Sequence, residues 1–341
     1  MKKKVIYILA AIIFISAIFG YNYIQKIFGK AITKDLVLFV SSTDNLQDIK
    51  SKIEGFSRNP ETFLWVAAKK NFSNPKNGRY ELKKGMSNND LVNMLRSRRQ
   101  TPFKLSFNNQ DTLEKFAGRI ASQIEADSVS LLASFKDEEF LNENNLTKKS
   151  VLQIFIPNTY EFYWTVSPSK FRKKMLVSYH RFWNKSRLKK AEKLSLTKEE
   201  VITLASIVQK ETAQNSERSI VAGLYLNRLK KGWPLQADPT VIYCLKEKKG
   251  QDYVVKRVLT ADLEINSPYN TYKNRGLPPT LISMPDISSI DGVLNAQKHN
   301  YFYMCANVEK LGYHVFAKSL TQHNRNANKY HHWMNKKRIN R

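Results

Sequence analysis

Hydrophobic positions along this 341-residue chain follow three patterns. The first is a continuous run from Val5 to Phe19, VIYILAAIIFISAIF, in which Ser16 is the one clearly polar residue, followed by Gly-Tyr-Asn-Tyr-Ile. Counted to Ile24, the run has about the 20 residues that cross a bilayer, with tyrosines at its far edge where interfacial aromatics belong. Residues 2–4 are lysines. Their charge favours the cytoplasmic side and directs everything after residue 25 across the membrane. A cleaved signal peptide is the competing reading; the length of the run, and the lack of an A-x-A-like site after it, favour an anchor.

The second pattern is alternation. Residues 36–41, LVLFVS, read as a strand, and Tyr80 and Leu82 alternate as in a half-buried strand. Gly85 then turns the chain, and Ser87 with Asp90 has the spacing of a capping box, opening a helix with Leu91, Met94 and Leu95 inside. This strand, turn and helix over 78–97 resembles a LysM-like glycan-binding module, and a plain small α/β support domain explains the same pattern. Residues 106–190 mix amphipathic helical stretches with IFIPNTYEFYW at 154–164, and basic residues crowd 170–174 and 185–190. A charge run of that kind is a solvated face, since no aromatic ladder is interleaved with it.

The third pattern is helical and carries an anomaly. Thr197 and Glu200 form a second capping-box spacing, so a helix begins near residue 198; another runs from about Ser216 to Lys231 before Gly232. On the first helix Leu204, Ala205 and Val208 share one stripe, and Glu211 falls within roughly 20° of Leu204 at 100° per residue. Gln209 and Lys210 are expected to face solvent. Three polar and aromatic clusters follow, PLQADPTVIYC at 234–244, SPYNTYKNRGLPP at 267–279 and HVFAKSLTQHN at 314–324. They read as loops between strands, where sites are commonly assembled. Tyr301–Ala306 and Tyr313–Ala317 read as a hairpin beneath them. The expected class is α+β, because capped helices and short alternating strands replace regular βαβ units.

Composition narrows the partners. A formal net charge of +27 points to polyanions, an anionic membrane surface or an acidic polymer such as cell wall. Nucleic acid is disfavoured by the anchor and by the lack of any nucleic-acid motif. Two cysteines, Cys244 and Cys305, exclude a disulfide framework and read as buried thiols, although a single bridge between them stays open. The six histidines, including His331 and His332, show no metal-ligand spacing, so no metal and no cofactor are expected.

A carboxyl group on an apolar helix face loses hydration, which raises its pKa and lets it donate a proton near neutrality. That is what a glycosidase-type general acid requires. The alternative is a buried ion pair between Glu211 and an arginine such as Arg218 or Arg228. Asp238 is the one nearby second carboxylate in these motifs, and its Asp-Pro-Thr context reads equally as a turn or a cap.

ASIVQKET (205–212), SERSIVAGLYLNRL (216–229), LQADPTVIY (235–243), SPYNTY (267–272) and GLPP (276–279), in this order and spacing, closely resemble the membrane-bound endolytic peptidoglycan transglycosylases of the MltG or YceG-like family. IPNTYEF (156–162) and HVFAKSLTQHN extend the likeness over most of the chain beyond the anchor. The resemblance maps the family's catalytic acid onto Glu211, the second acidic position of an ASIVEKE-like helix. Gln209 stands at the first, so the chemistry cannot need a carboxylate there. Asn158 stands where the family often has Asp.

What the resemblance implies is lytic cleavage of the β-1,4 bond between N-acetylmuramic acid and N-acetylglucosamine within nascent strands, leaving 1,6-anhydro ends and limiting strand length. Gln236, Asp238, Tyr243, Tyr269, Asn270 and Thr271 are the candidate substrate-binding residues. The expected layout is a cytoplasmic tip and transmembrane anchor at 1–30, a LysM-like module at 31–105, a connecting region at 106–190 and a catalytic domain at 191–341. Expected partners are peptidoglycan glycan strands and the membrane, with peptidoglycan synthases as candidates. The location is the bacterial cytoplasmic membrane, single-pass, with the catalytic domain on its outer side. A membrane-anchored peptidoglycan-binding protein without catalysis, and a muramidase-type hydrolase, are the rival functions.

Overall fold

Helix α1, Lys2–Phe28, opens the chain as one continuous apolar rod. The computed structural model describes residues 2–336. At 1.5 Å per residue the helix is about 40 Å long, more than the roughly 30 Å of a bilayer's hydrocarbon core. Its apolar side chains from Val5 to Phe19 are exposed, so the helix has the form of a single membrane span.

Contacts divide the chain into two units. The first comprises residues 1–105 with the short returns 122–126 and 160–167. After α1 come β1 (Leu36–Val40), α2 (Leu46–Ile53), α3 (Pro60–Lys69), β2 (Gly78–Leu82) and α4 (Asn88–Ser97). β1 and β2 pair antiparallel with Leu36 opposite Leu82 and Val40 opposite Gly78. The period of two puts Leu38, Val40, Tyr80 and Leu82 in the core, while Val37 and Phe39 stay exposed. Ile49, Ile53, Phe63, Val66, Leu91 and Leu95 close that core from the helices.

Local chemistry sets the ends of these elements. Asn45 with Asp48, and Ser87 with Asp90, form complete capping boxes at α2 and α4, and Gly85 turns the chain at φ +89°, where a β-carbon would be strained. The expected strand, turn and helix over 78–97 is therefore present. β3 (Phe103–Ser106) pairs with β4 (Thr159–Phe162). Glu125 secures the 122–126 return by accepting from Ser42 N at 2.6 Å and Asn77 Nδ2 at 2.9 Å.

The second unit comprises 106–121, 127–159 and 168 onward. α5 (Leu113–Ala121), α6 (Ser128–Phe135), α7 (Glu138–Glu143), α8 (Pro168–Phe182) and α9 (Lys185–Lys193) belong to it, and Phe116, Phe135, Phe155 and Phe171 cluster among them with ring centroids 4.4–6.5 Å apart. α10 (Lys198–Glu211) is buried from Val201 to Val208 and packs against α11 (Arg218–Lys230), α12 (Asp238–Lys249) and α13 (Ile287–Leu294). The hairpin of β5 (Tyr303–Ala306) and β6 (His314–Ala317) follows with Tyr303 opposite Ala317, then α14 (Leu320–Lys336). The fold is mixed helix and sheet, and every sheet among the described residues has two strands.

Two expected loops are regular structure. Residues 238–249 form α12: Val241, Cys244 and Leu245 are buried at helical spacing, and Pro239 falls in the first turn, where its missing N–H costs nothing. Residues 320–324 open α14, whereas 314–317 form β6 of the hairpin expected from Tyr301–Ala306 and Tyr313–Ala317, and 267–279 is irregular as expected. Cys244 and Cys305 are free thiols, the first buried.

Candidate active site

The α10–α11 corner fixes the centre of the site. The Thr197/Glu200 capping box sets the start of α10, and fourteen residues later Glu211 is its last residue. Thr212 leaves in an extended conformation, and its Oγ1 donates to Glu217 Oε2 at 3.1 Å while accepting from Gln214 N at 3.0 Å. Buried Glu217 also accepts from the backbone N of His314 at 2.7 Å and pairs with His314 Nδ1 at 3.0 Å. β6 is thereby tied to the corner beside Glu211. α11 returns past α10, and Tyr225 Oη donates to Glu211 Oε2 at 3.1 Å.

Gly223 lets α11 pack closely against the segment that follows α13. A β-carbon there would collide with the carbonyl oxygen of Gln297, so only glycine permits this approach. Neither candidate arginine pairs with Glu211. Arg218 is bound to Asp286 at 2.7 Å and to Ser288. Arg228 Nε donates to Phe302 O at 2.8 Å, and the same guanidinium reaches Leu235 O, pinning the chain that enters α12.

Burial pushes the Glu211 carboxyl above the ordinary carboxylate range. The charge of His314, the Tyr225 hydrogen bond and the charge of Arg228 pull it down, and the charge of Asp238 pushes it up, without reversing the outcome. Its place at the C-terminal end of α10, where the helix dipole is negative, disfavours the anion further. A carboxyl group whose pKa is raised in this way keeps its proton to higher pH, and so can give it to a leaving oxygen and afterwards take one back.

The other sequence candidates lie on the neighbouring chain. Gln236 is exposed, at φ +49°, with its backbone N bonded to Thr271 O at 3.0 Å. Asp238 is exposed at the start of α12, where Ala237 occupies the cap position, and its Oδ1 accepts from Tyr272 Oη at 2.6 Å. Tyr243 is half-buried with its ring 4.6 Å from that of buried Tyr269, whose hydroxyl meets Thr280 Oγ1 at 2.7 Å.

Asn270 and Thr271 are fully enclosed. Asn270 Nδ2 donates to Leu263 O and Ile265 O, both at 2.8 Å, and its Oδ1 accepts from Tyr272 N at 3.0 Å. Thr271 Oγ1 accepts from Ala237 N at 3.0 Å and meets Thr240 Oγ1 at 2.8 Å. Their polar groups hold the 263–272 loop against the start of α12.

Gln209 departs from its expected solvent-facing position. It is half-buried, and its Oε1 accepts from Ser289 Oγ at 2.7 Å and from Asp286 N at 3.3 Å. The N-terminus of α13 packs there, a long-range contact that a helical wheel does not contain.

Four residues of this cluster escaped the sequence reading: Tyr225, Tyr272, Glu217 and His314. Tyr225 alone left a signal, because a tyrosine among the apolar residues of a buried helix needs a partner for its hydroxyl.

Fold and cluster together describe a protein with an N-terminal helix that fits a membrane span and a half-buried carboxylic acid, its pKa raised, set into a polar wall. Residues 38–329 match the YceG-like family, and the chain belongs to that family. Among similar proteins, the endolytic murein transglycosylase of Bacillus subtilis (strain 168) is 29% identical over 288 residues, covering 80% of this chain and 78% of its own length. The protein of the same name from Streptococcus pneumoniae serotype 2 is 27% identical over 345 residues, covering 91% of this chain and 61% of its own length. The crystal structure of a yceG-like protein from Listeria monocytogenes superposes with a TM-score of 0.58 at 30% identity, over 86% of this chain and 98% of that one.

Proposed function

We propose that this chain is an endolytic murein transglycosylase, a lyase that cuts the N-acetylmuramic acid to N-acetylglucosamine bond within glycan strands, with Glu211 as its single acid and base. The relatives' names support the reaction class. The observation that carries the assignment of Glu211 is that it is half-buried and its carboxyl meets a phenol instead of a cation. Glu211 in its acid form protonates the glycosidic oxygen as the bond to the muramic acid C1 breaks. The resulting carboxylate takes the proton of the muramic acid 6-hydroxyl, whose oxygen bonds to C1 and closes the 1,6-anhydro ring. The acid is restored without water, so no second carboxylate is required, unlike in a hydrolase.

In this reading exposed Gln236 and Asp238 and half-buried Tyr243 face the sugars, while Tyr269, Asn270 and Thr271 shape the wall behind them. The apolar α1 anchors the enzyme in the cytoplasmic membrane with the rest of the chain outside, and the basic surface keeps it near an anionic wall and newly made strands. Residues 31–105 act as a LysM-like glycan-holding module, 106–190 connect, and 191–341 carry the chemistry; peptidoglycan synthases are proposed partners, placed alongside by the same membrane. The test is mass spectrometry of purified peptidoglycan after digestion by residues 30–341. Anhydro ends support the proposal, reducing ends make the protein a hydrolase, and an unchanged substrate leaves a binding protein.

A further inference from the structure

α12 starts at Asp238, whose charge acts on Glu211, and farther along its half-buried face lines a groove. Asp238 stands at the start of the helix, and Pro239, Ile242, Tyr243 and Lys246 follow at spacings that keep them on one face. Pro239, Ile242 and Ile282 give this groove an apolar floor, with Lys210, the neighbour of Glu211, on its wall. Its second lobe shares Asp111, Tyr243, Gln251 and Ile282 and runs on to Leu152 and Lys149.

The charges are ordered. Five lysines line the two lobes against three carboxylates, and Lys148 also pairs with Glu138 at 3.2 Å, so one cation remains in excess. Asp111 is shared by Lys210 at 2.5 Å and Lys246 at 3.9 Å, which leaves two cations on one anion. Lys149 reaches Glu247 at 2.9 Å and lies 5.3 Å from the Tyr269 ring, with over half of its side chain still exposed. The groove is therefore apolar below and cationic in excess above.

We propose that this groove binds the short acidic peptide carried by the muramic acid whose glycosidic bond lies at Glu211, as an extended chain with its carboxylates against Lys246 and Lys149. This deepens the transglycosylase reading and rests on it. The lengths agree: the eight helical steps from Asp238 to Lys246 span about 12 Å, and four extended peptide residues span about 13 Å. The small methyl groups of an alanine-containing peptide suit the apolar floor. Its free carboxylates suit the surplus positive charge. Bare glycan offers neither.

The test compares uncrosslinked glycan strands bearing peptides with the same strands stripped of them by an amidase, using the full chain in detergent micelles. Wild type is expected to cleave peptide-bearing strands with kcat/KM about tenfold higher or more, the scale of a lost charge-assisted hydrogen bond. The double variant Lys149→Gln/Lys246→Gln should lose that advantage and keep the wild-type rate on stripped strands. Equal wild-type rates on both substrates, or an equal loss on both in the double variant, would overturn the proposal. Calorimetric titration with a muramyl tetrapeptide reads the groove without cleavage: binding weakened in the double variant supports it, and no binding by wild type refutes it. If wild type cleaves neither strand, the transglycosylase reading fails, and this titration alone judges the groove.

Discussion

Tyr225 Oη lies 3.1 Å from Glu211 Oε2, and this phenol, donating its hydroxyl proton, is the partner of the Glu211 carboxyl. The arginines of α11 are committed elsewhere, Arg218 to Asp286 and Arg228 to backbone carbonyls. Glu211 is thus a half-buried acid without an ion pair, and its replacement strands no cation.

Glu211→Gln is accordingly expected to abolish cleavage while the protein stays folded. The amide oxygen still accepts from Tyr225, so the one hydrogen bond survives; breaking a true buried ion pair would instead cost about 3–5 kcal/mol. Because burial raises the folded-state pKa, the folded protein binds the Glu211 proton more tightly than the unfolded chain does. That contribution is complete below the unfolded pKa and is lost as pH rises through the folded one, so at neutral pH the variant should melt no lower than wild type. Melting curves beside product analysis decide; an unfolded or active variant refutes the role. Gln209→Glu should retain activity, since either side chain offers Ser289 an acceptor.

The falling limb of the pH–kcat/KM profile should report the protonated form of Glu211, lying above the ordinary carboxylate range. Burial sets the shift, and His314 and Asp238 trim it in opposite directions. His314 lowers the Glu211 pKa, so His314→Gln is expected to move the limb to higher pH; Asp238 raises it, so Asp238→Asn should move the limb to lower pH. Profiles that leave the limb in place, or move it the same way in both variants, would exclude this electrostatic arrangement.

Asn270 and Gln236 separate wall from surface. Asn270→Ala removes three hydrogen bonds within the 263–272 loop and should cost about 1–3 kcal/mol, with activity falling as the loop loosens. Gln236→Ala changes an exposed side chain. Its melting temperature should stay put while KM for glycan rises. Chemical denaturation and steady-state kinetics on both variants check the division.

Removal of residues 1–30 should release the protein from the membrane fraction, because α1 is the one described helix long and apolar enough to span. Carbonate extraction of the full chain and of the truncated form gives the comparison. Protease added to intact spheroplasts should then degrade the chain beyond the anchor; protection of that part would reverse the proposed topology.

Local chemistry in the sequence determined where elements begin and which way they face. The lysine-flanked apolar run, the alternation at Leu38, Val40, Tyr80 and Leu82, and the boxes at Ser87/Asp90 and Thr197/Glu200 depend on residues within a few positions of one another, and each is found in the structure. The placing of Glu211 on the apolar side of α10 is legible for the same reason, since helical periodicity is local. Tertiary structure alone decided the company that carboxyl keeps. Tyr225 comes from the next helix, His314 from a strand more than a hundred residues on, and Asp238 is joined to Tyr272 across a loop. The same long-range packing turned Gln209 from a solvent-facing position into a ligand of α13, made Asn270 part of its loop's own hydrogen bonding, and tied Thr271 to the start of α12. Periodicity fixes the direction of a side chain relative to its own helix axis, whereas its partners depend on which distant surfaces bury most apolar area together, and no local pattern encodes that sum.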